Sequence, residues 1–264
     1  MNIAPGGWKY AIFPLLAAPF ALLISVTASL VALAIGVGTL VFFRDPDRSP
    51  PPTGVVSPAD GTVSVLREEG DRVRLGVFMN LWHVHVVRSP FAGRITDVEH
   101  VSGANRPAFS KESDRNERVH VHFVTESPHL PAEGDGGSVS VANTNSDASA
   151  TDGEESADAD SNARGSPPAE PAPHAAVTLI AGAFARRIYP YVERDDGVER
   201  GERIGHIAFG SRVDLLFPKS VELADVAVDI GDSMTAGETV VLELPDVAAG
   251  GEFGLDTDVD GGDA

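Results

Sequence analysis

From Tyr10 to Phe43 the chain carries no charged side chain, and this run limits what the rest of the molecule can be. Pro19 to Phe43 alone is 25 residues. At about 1.5 Å per residue that is enough to cross a hydrocarbon core of about 30 Å. A helix of a soluble core is rarely apolar on every face for so long. Residues 1–43 are therefore expected to be a hydrophobic membrane segment. It either spans once or turns back as a re-entrant pair near Pro14 and Pro19, since proline kinks or ends a helix. A cleaved signal peptide is the rival reading. The run is longer than a signal core, however, and no small-residue cleavage site separates it from the Arg44–Arg48 segment. Lys9 flanks one end and Arg44 with Arg48 the other, a slight lean toward a cytoplasmic C-terminal domain at the cell membrane.

Beyond Arg44 the pattern changes to short β-branched runs cut by glycine and proline. Val55–Leu66 reads as strand, turn, strand. Arg72–Phe78, Trp82–Val87, Val119–Val124, Val177–Ala181 and Arg203–Leu216 repeat the signal. Val226–Leu242, with Gly231 and Gly237 at its reversals, looks like a barrel-sandwich turn, but it has no lysine to carry a prosthetic group. The expected fold class is mostly β: a barrel-sandwich-like single domain formed by residues 44–130 plus 176–244. Residues 131–175 hold nine acidic residues and one basic and almost no large apolar side chain. They cannot bury enough surface to offset their ordering entropy, so a disordered acidic insertion is expected there. Residues 245–264 are expected to be an acidic, solvated tail.

The formal net charge is -19, from 39 acidic and 20 basic residues, and only Lys9, Lys111 and Lys219 are lysines. This argues against nucleic acid as a partner, because phosphate binding needs a basic surface. An acidic, lysine-poor surface suits molar salt, where screening shortens the reach of self-repulsion. A halophilic source is the expectation. With no cysteine, disulfides and thiolate metal sites are ruled out, and no metal site is expected.

Five segments carry a more specific signal: FRDPDR at 43–48, SPADG at 57–61, NLWHVHVVRSP at 80–90, NER at 116–118 and GHIAFGSRVD at 205–214. A Gly-Ser pair alone is turn chemistry. In this order and spacing the set resembles the short form of the phosphatidylserine decarboxylase family. The resemblance implies a proenzyme that cuts itself between Gly210 and Ser211 into fragments 1–210 and 211–264, which stay together as a heterodimer. In such proteins the serine hydroxyl attacks the glycine carbonyl, the ester formed eliminates, and hydrolysis leaves a pyruvoyl group in place of the serine. Decarboxylation next to an amine needs an electron sink that no side chain provides. A pyruvoyl ketone derived from Ser211 would condense with the substrate amine and supply that sink, converting a serine phospholipid to its ethanolamine counterpart with loss of carbon dioxide. The substrate would be archaetidylserine from a haloarchaeon, or phosphatidylserine.

Self-cleavage also needs a base and a carboxylate to orient it, the logic of a Ser-His-Asp triad. The resemblance gives these roles to Asp60 and to a histidine of the 83–90 segment. Here the chain departs from the short-form pattern, reading His85-Val86-Val87-Arg88 where His-Val-Asn-Arg is usual. Arg88 stands where longer members carry a second histidine. The base is thus left open: His85 matches the family position, and His83 would share its face in an extended strand. Asn116, Glu117 and Arg118 match a motif of less certain role. His120 and His122 read as ordinary sheet residues, and His206 has no family counterpart. Loss of residues 1–43 is expected to leave processing intact. The alternative to an enzyme is a non-enzymatic, membrane-anchored barrel-sandwich module of carrier or adaptor type.

Overall fold

The computed structural model describes residues 2–103, 115–125, 174–182, 187–208 and 211–244. The expected insertion, apart from His174 and Ala175, lies outside the described residues, as do the expected tail and Gly210.

The apolar run is not one long helix. After a two-residue strand β1 (Asn2–Ile3), α1 (Gly7–Ala21) and α2 (Val26–Phe42) form an antiparallel pair joined at Leu22–Ser25. Pro14 and Pro19 sit inside α1 rather than at the reversal. The chain reverses where Ser25 takes an extended φ of -162° ahead of α2 and its carbonyl accepts the Ser29 N–H, the backbone form of an N-cap. The helices meet closely at Gly36, where a Cβ would come 2.5 Å from the Leu15 side chain, a small-residue contact that lets apolar helices approach. The longer helix measures about 26 Å, short of the hydrocarbon core. Among the described residues no helix is long and apolar enough to cross a membrane. Phe13, Phe20, Leu23 and Ile24 are between 71% and 87% exposed, so the pair presents an apolar surface far beyond what a folded domain leaves scattered.

The remainder is β, as the alternation predicts. Two short strands follow the helices, β2 (Arg44–Asp45) and β3 (Val55–Val56), then β4 (Gly61–Glu69), β5 (Arg72–Met79), β6 (Val86–Arg88), β7 (Gly93–Val101) and β8 (Arg118–Thr125). Then come β9 (His174–Ala181), β10 (Ile188–Pro190), β11 (Gly197–Val198), β12 (Arg203–Ile207), β13 (Ser211–Leu216), β14 (Ser233–Met234) and β15 (Val240–Leu242). The main sheet has the order β11-β7-β8-β9-β13-β5-β4-β14, beside smaller sheets β10-β12-β6 and β15-β3. Inward residues such as Val73, Leu75, Val77, Val121, Phe123, Leu179 and Val213 join Ile204, Ile207 and Val241 from the smaller sheets in one core. The period of two explains the choice: in β8 Val119, Val121 and Phe123 point in, while Arg118, His120 and His122 point out.

Two expectations change. Of Trp82–Val87 only Val86 and Val87 are strand, in β6, because Asn80 ties Leu81–His83 into a turn: its side chain accepts the Trp82 N–H at 2.9 Å and its carbonyl accepts the His83 N–H at 3.1 Å. Arg203–Leu216 is two strands, β12 and β13, in different sheets, and the second begins at Ser211.

The helix pair is also not a detachable anchor. Phe42, Phe43 and Ala4 form a second core cluster with Val84, Val86 and Ala208. Truncating buried phenylalanines costs about 3–5 kcal/mol each, which revises the expectation that processing survives loss of residues 1–43. The truncated chain should process much more slowly than the full one. A chain with only Leu22–Ile24 replaced by serine should process normally. Fragment yield over time on denaturing gels, with a urea melt of each chain, checks both.

Candidate active site

Ser211 opens β13 in the middle of the main sheet. It pairs with Met79 of β5 on one side and Ala181 of β9 on the other. Val213 and Leu215 alternate with it on the core face, so its side chain points into the core and is fully buried. Among the described residues its Oγ has no hydrogen-bond partner. A buried hydroxyl without a partner costs about 1–3 kcal/mol and persists in a fold only for a reason. Asn116, the first residue of the NER segment, is buried beside it and donates from Nδ2 to the carbonyl of Ala181 at 2.7 Å.

On the opposite face of β13, the Arg212 guanidinium grips Asp214 with two bonds, at 2.7 and 2.9 Å, and Arg74 of β5 bonds the same carboxylate at 3.2 Å. Charge-assisted forked bonds of this kind hold geometry firmly. They fix the strand immediately after residue 211.

The histidines gather where the helix pair meets the smaller sheet. Ile207 donates its N–H to the His85 carbonyl at 3.1 Å, tying the 83–85 turn to the strand that leads into the cleavage segment. The His85 ring is buried against Phe42, with centroids 4.4 Å apart, and its Nδ1 lies 2.9 Å from the His83 carbonyl. A carbonyl can only accept, so Nδ1 carries the hydrogen and Nε2 the lone pair. Burial pushes the His85 pKa down to about 4, with the charges of His83, Arg44 and His206 acting in the same direction. At neutral pH it is therefore an uncharged imidazole that carries its lone pair on Nε2.

His206 in β12 is the site residue that sequence reasoning left without a role. It is buried, stacked on Tyr189 at 4.6 Å, with its Nδ1 2.6 Å from the Tyr191 hydroxyl. Burial raises the Tyr191 pKa and lowers that of His206 to about 4. The protonated phenol then donates to Nδ1, leaving the hydrogen of His206 on Nε2. Nothing in the local sequence signals this cluster, because Tyr189 and His206 meet only through the β10–β12 register.

Asp60 lies elsewhere in the frame. Arg48 grips both of its oxygens, at 3.1 and 3.0 Å, and the Ala236 N–H donates to it at 2.8 Å. Gly61 follows with φ of +156°, and a Cβ there would sit 2.3 Å from the Phe78 carbonyl, so only glycine lets the turn lie this close to β5. The histidine that feels Asp60 is His83, half-buried, whose Nδ1 accepts the Asn80 N–H at 3.1 Å. Desolvation lowers the His83 pKa, the Asp60 charge opposes that shift and Arg44 adds to it. The structure thus brings His83, His85 and His206 within range of one another's charge and lets the Asp60 charge reach His83. It places no hydrogen bond between Ser211 Oγ and His85, and the Nδ1 of His85 is oriented by a carbonyl rather than by Asp60. Arg88, at the position of the longer members' histidine, is a buried strut bonded to Asp45 at 3.1 Å, to the Gly201 carbonyl at 2.8 Å and to the Pro46 carbonyl at 2.9 Å.

The two buried histidines make stability depend on pH. Unfolded, each has a pKa near 6.5; folded, near 4. Between those values the unfolded chain binds more protons, so stability rises with pH and is lost as pH falls from about 6.5 toward 4, by about 3 kcal/mol per histidine. Urea midpoints at pH 7.5 and 4.5 in molar salt should show this drop, and His206→Gln should remove its share. An equal drop in the variant contradicts the assignment.

Ser211 thus stands fully buried at the start of a central strand, its Oγ without a hydrogen-bond partner among the described residues. The family model for phosphatidylserine decarboxylase matches residues 38–148 and 160–242, and the chain belongs to that family. It is similar, at 42% identity over 90% of its length and 96% of the relative's, to a protein of Halobacterium salinarum assigned as an archaetidylserine decarboxylase proenzyme. A Streptomyces griseus phosphatidylserine decarboxylase proenzyme is 40% identical over 78% of this chain and 74% of its own. A Methanopyrus kandleri protein, assigned like the first, is 34% identical over 92% of this chain and 99% of its own. These matches do not favour the carrier or adaptor alternative.

Proposed function

We propose that this chain is the proenzyme of a pyruvoyl-dependent carboxy-lyase, which cuts itself between Gly210 and Ser211 and converts a serine phospholipid, archaetidylserine or phosphatidylserine, to the ethanolamine lipid. The observation that carries this reading is the buried Ser211 Oγ, held without a competing hydrogen bond on the core face of β13. In cleavage the hydroxyl adds to the Gly210 carbonyl and the peptide C–N bond breaks to leave an ester. Elimination then frees the Gly210 carboxylate, and water releases ammonia from the residue that remains. His85, neutral with its lone pair on Nε2, is the candidate to take the hydroxyl proton. His83 is the candidate donor to the decarboxylated carbon, and Asp60 acts on His83 through its charge. The pyruvoyl ketone supplies the electron sink for the lost carboxylate. The residues around position 211 suit it: a water-excluded core face, a clamped strand behind it and no competing side-chain bond.

The site reading comes with a membrane reading. In a hairpin both helix ends lie on one side, so Lys9, Arg44 and Arg48 gather at one stem. The positive-inside rule then favours a cytoplasmic domain, with the apolar tip dipping into the leaflet. Intact mass of the purified protein tests the processing: two chains are expected, the shorter beginning with a blocked residue 211. Carbon dioxide release from archaetidylserine and phosphatidylserine tests the substrate. A single full-length chain that carries the activity would refute the proposal.

A further inference from the structure

Where the last turn of α2 meets the Asn80–His83 turn lies a groove of about 400 Å³ whose walls include Gly38, Val41, Phe42, Leu81 and Trp82. Its rim is open, with Leu81 54% and Trp82 76% exposed, and a Cβ added at Gly38 would meet nothing within 4 Å. One charge enters this apolar slot, that of Arg44. Its Nη1 donates to the Val41 carbonyl at 2.9 Å and its Nη2 to the Trp82 carbonyl at 2.6 Å. These two bonds pin the side chain across the groove and leave three of its five N–H donors.

Arg44 differs from the cations around it. Arg48 is paired with Asp60 and Glu238, Arg88 and Arg203 with Asp45, and Arg74 and Arg212 with Asp214. Among the described residues Arg44 has no carboxylate partner, and nothing neutralises it at the end of an apolar slot. The groove is lined by the last turn of α2, part of the apolar helix pair, and a short stretch of chain links it to Ser211. Met79 is the strand partner of Ser211, and Trp82 follows three residues later. The Cα of Trp82 is therefore no more than about 16 Å from that of Ser211, at about 3.6 Å per extended residue plus one strand spacing. The Arg44 charge is also felt by both His83 and His85.

We propose that this groove is the lipid subsite of the enzyme: the start of one hydrocarbon chain lies between α2 and Trp82, and Arg44 binds the phosphodiester. The serine head then passes His83 toward residue 211. The proposal rests on the reading of the protein as a serine-phospholipid decarboxylase, and it gives that reading an address for the part of the substrate that does not react. A guanidinium at the mouth of an apolar slot, whose Thr39 hydroxyl is spent on the Ile35 carbonyl at 2.8 Å, matches a molecule with an anionic phosphate joined to a hydrocarbon chain. Binding energy from these remote parts holds the amine at the reacting centre.

The test uses the full chain and two readouts. Trp8 and Trp82 are its two tryptophans, so Trp8→Phe leaves Trp82 as sole reporter at the rim. A serine phospholipid with brominated chains, titrated in detergent micelles, should quench Trp82 saturably. Adding Gly38→Leu, which fills the groove where a side chain meets no clash, should weaken that quenching at least tenfold while fragments 1–210 and 211–264 still appear at the parent rate. Arg44→Gln should weaken it for the phospholipid and leave it unchanged for a brominated diacylglycerol, and Arg44→Lys should restore part of the difference. In turnover, Gly38→Leu should raise KM for the lipid and spare kcat/KM for glycerophosphoserine, which has no chain, whereas Arg44→Gln should impair both. Unchanged quenching and KM in Gly38→Leu would overturn the groove, and equal effects of Arg44→Gln on both brominated lipids would overturn the phosphate contact. Quenching by the phospholipid in a parent that processes but decarboxylates neither substrate would leave the subsite standing and remove the assigned reaction.

Discussion

Ser211→Ala is expected to run as one uncut chain on a denaturing gel and to release no carbon dioxide from either serine lipid. Alanine removes both the attacking oxygen and the atom that the new end group is made from, so the two losses come together and no partial activity should remain. The substitution should not unfold the protein. The Oγ it deletes is buried and makes no hydrogen bond, and removing an unsatisfied polar atom from a core face is neutral to slightly stabilising. Val213, Leu215 and the Arg212–Asp214–Arg74 clamp still hold β13 between β5 and β9. The urea midpoint should therefore match or slightly exceed that of an uncut wild-type chain. Two fragments from the alanine chain would put the cut, and the end group, elsewhere.

How far the sequence reveals this molecule depends on whether each feature is local. The β8 strand is legible because inward and outward residues alternate without interruption, and β5 and β9 because β-branched and apolar residues dominate short runs. The 34–35 and 37 neighbourhood of α2 is equally apolar on all sides, so periodicity places no break in the run. The reversal at Leu22–Ser25 hangs on one serine in an extended conformation and on the fit of Gly36 against Leu15. Alternation misleads at Trp82–His85, where histidine and valine repeat with period two just before β6. There the Asn80 side chain, the Arg44 bond to the Trp82 carbonyl and the Phe42 ring against His85 hold a turn instead. Ser211 and its position after Gly210 are visible in the motif, but its place on the core face follows only from the pairing with Met79 and Ala181. Tyr191 and Tyr189, which set the tautomer and stacking of His206, lie 15 and 17 residues before it and reach it through sheet register.

His85 is where the second large effect is expected. His85→Ala should slow the appearance of fragment 211–264 by about a hundredfold to ten-thousandfold, the usual worth of a positioned general base, whereas His83→Ala should process almost normally. The difference follows from the environments. His85 is buried and oriented by its Nδ1–H bond to the His83 carbonyl, with its lone pair on Nε2, while His83 is half-buried and spends its Nδ1 on the Asn80 N–H. His206 cannot replace it without changing tautomer, because the Tyr191 hydroxyl occupies its Nδ1. Alanine at 85 also opens a cavity beside Phe42, so His85→Gln is the companion variant: it fills the space and can still donate to the carbonyl, but it has no basic nitrogen. Both variants should stall, and His85→Gln should do so while folding as the parent does. Proton affinity gives an independent check. With a pKa near 4, His85 stays in its basic form down to about pH 5. The parent's cleavage rate should hold level from pH 8 to about 5 and then fall toward tenfold per pH unit below 4. An exposed histidine would instead lose half its basic form near pH 6.5. Rates measured by quenching fresh proenzyme across that range, in molar salt to suppress the remaining charge effects, separate the two. An inflection at 6.5, or parent-rate cleavage in His85→Gln, would transfer the base to His83 or to a group beyond the three histidines.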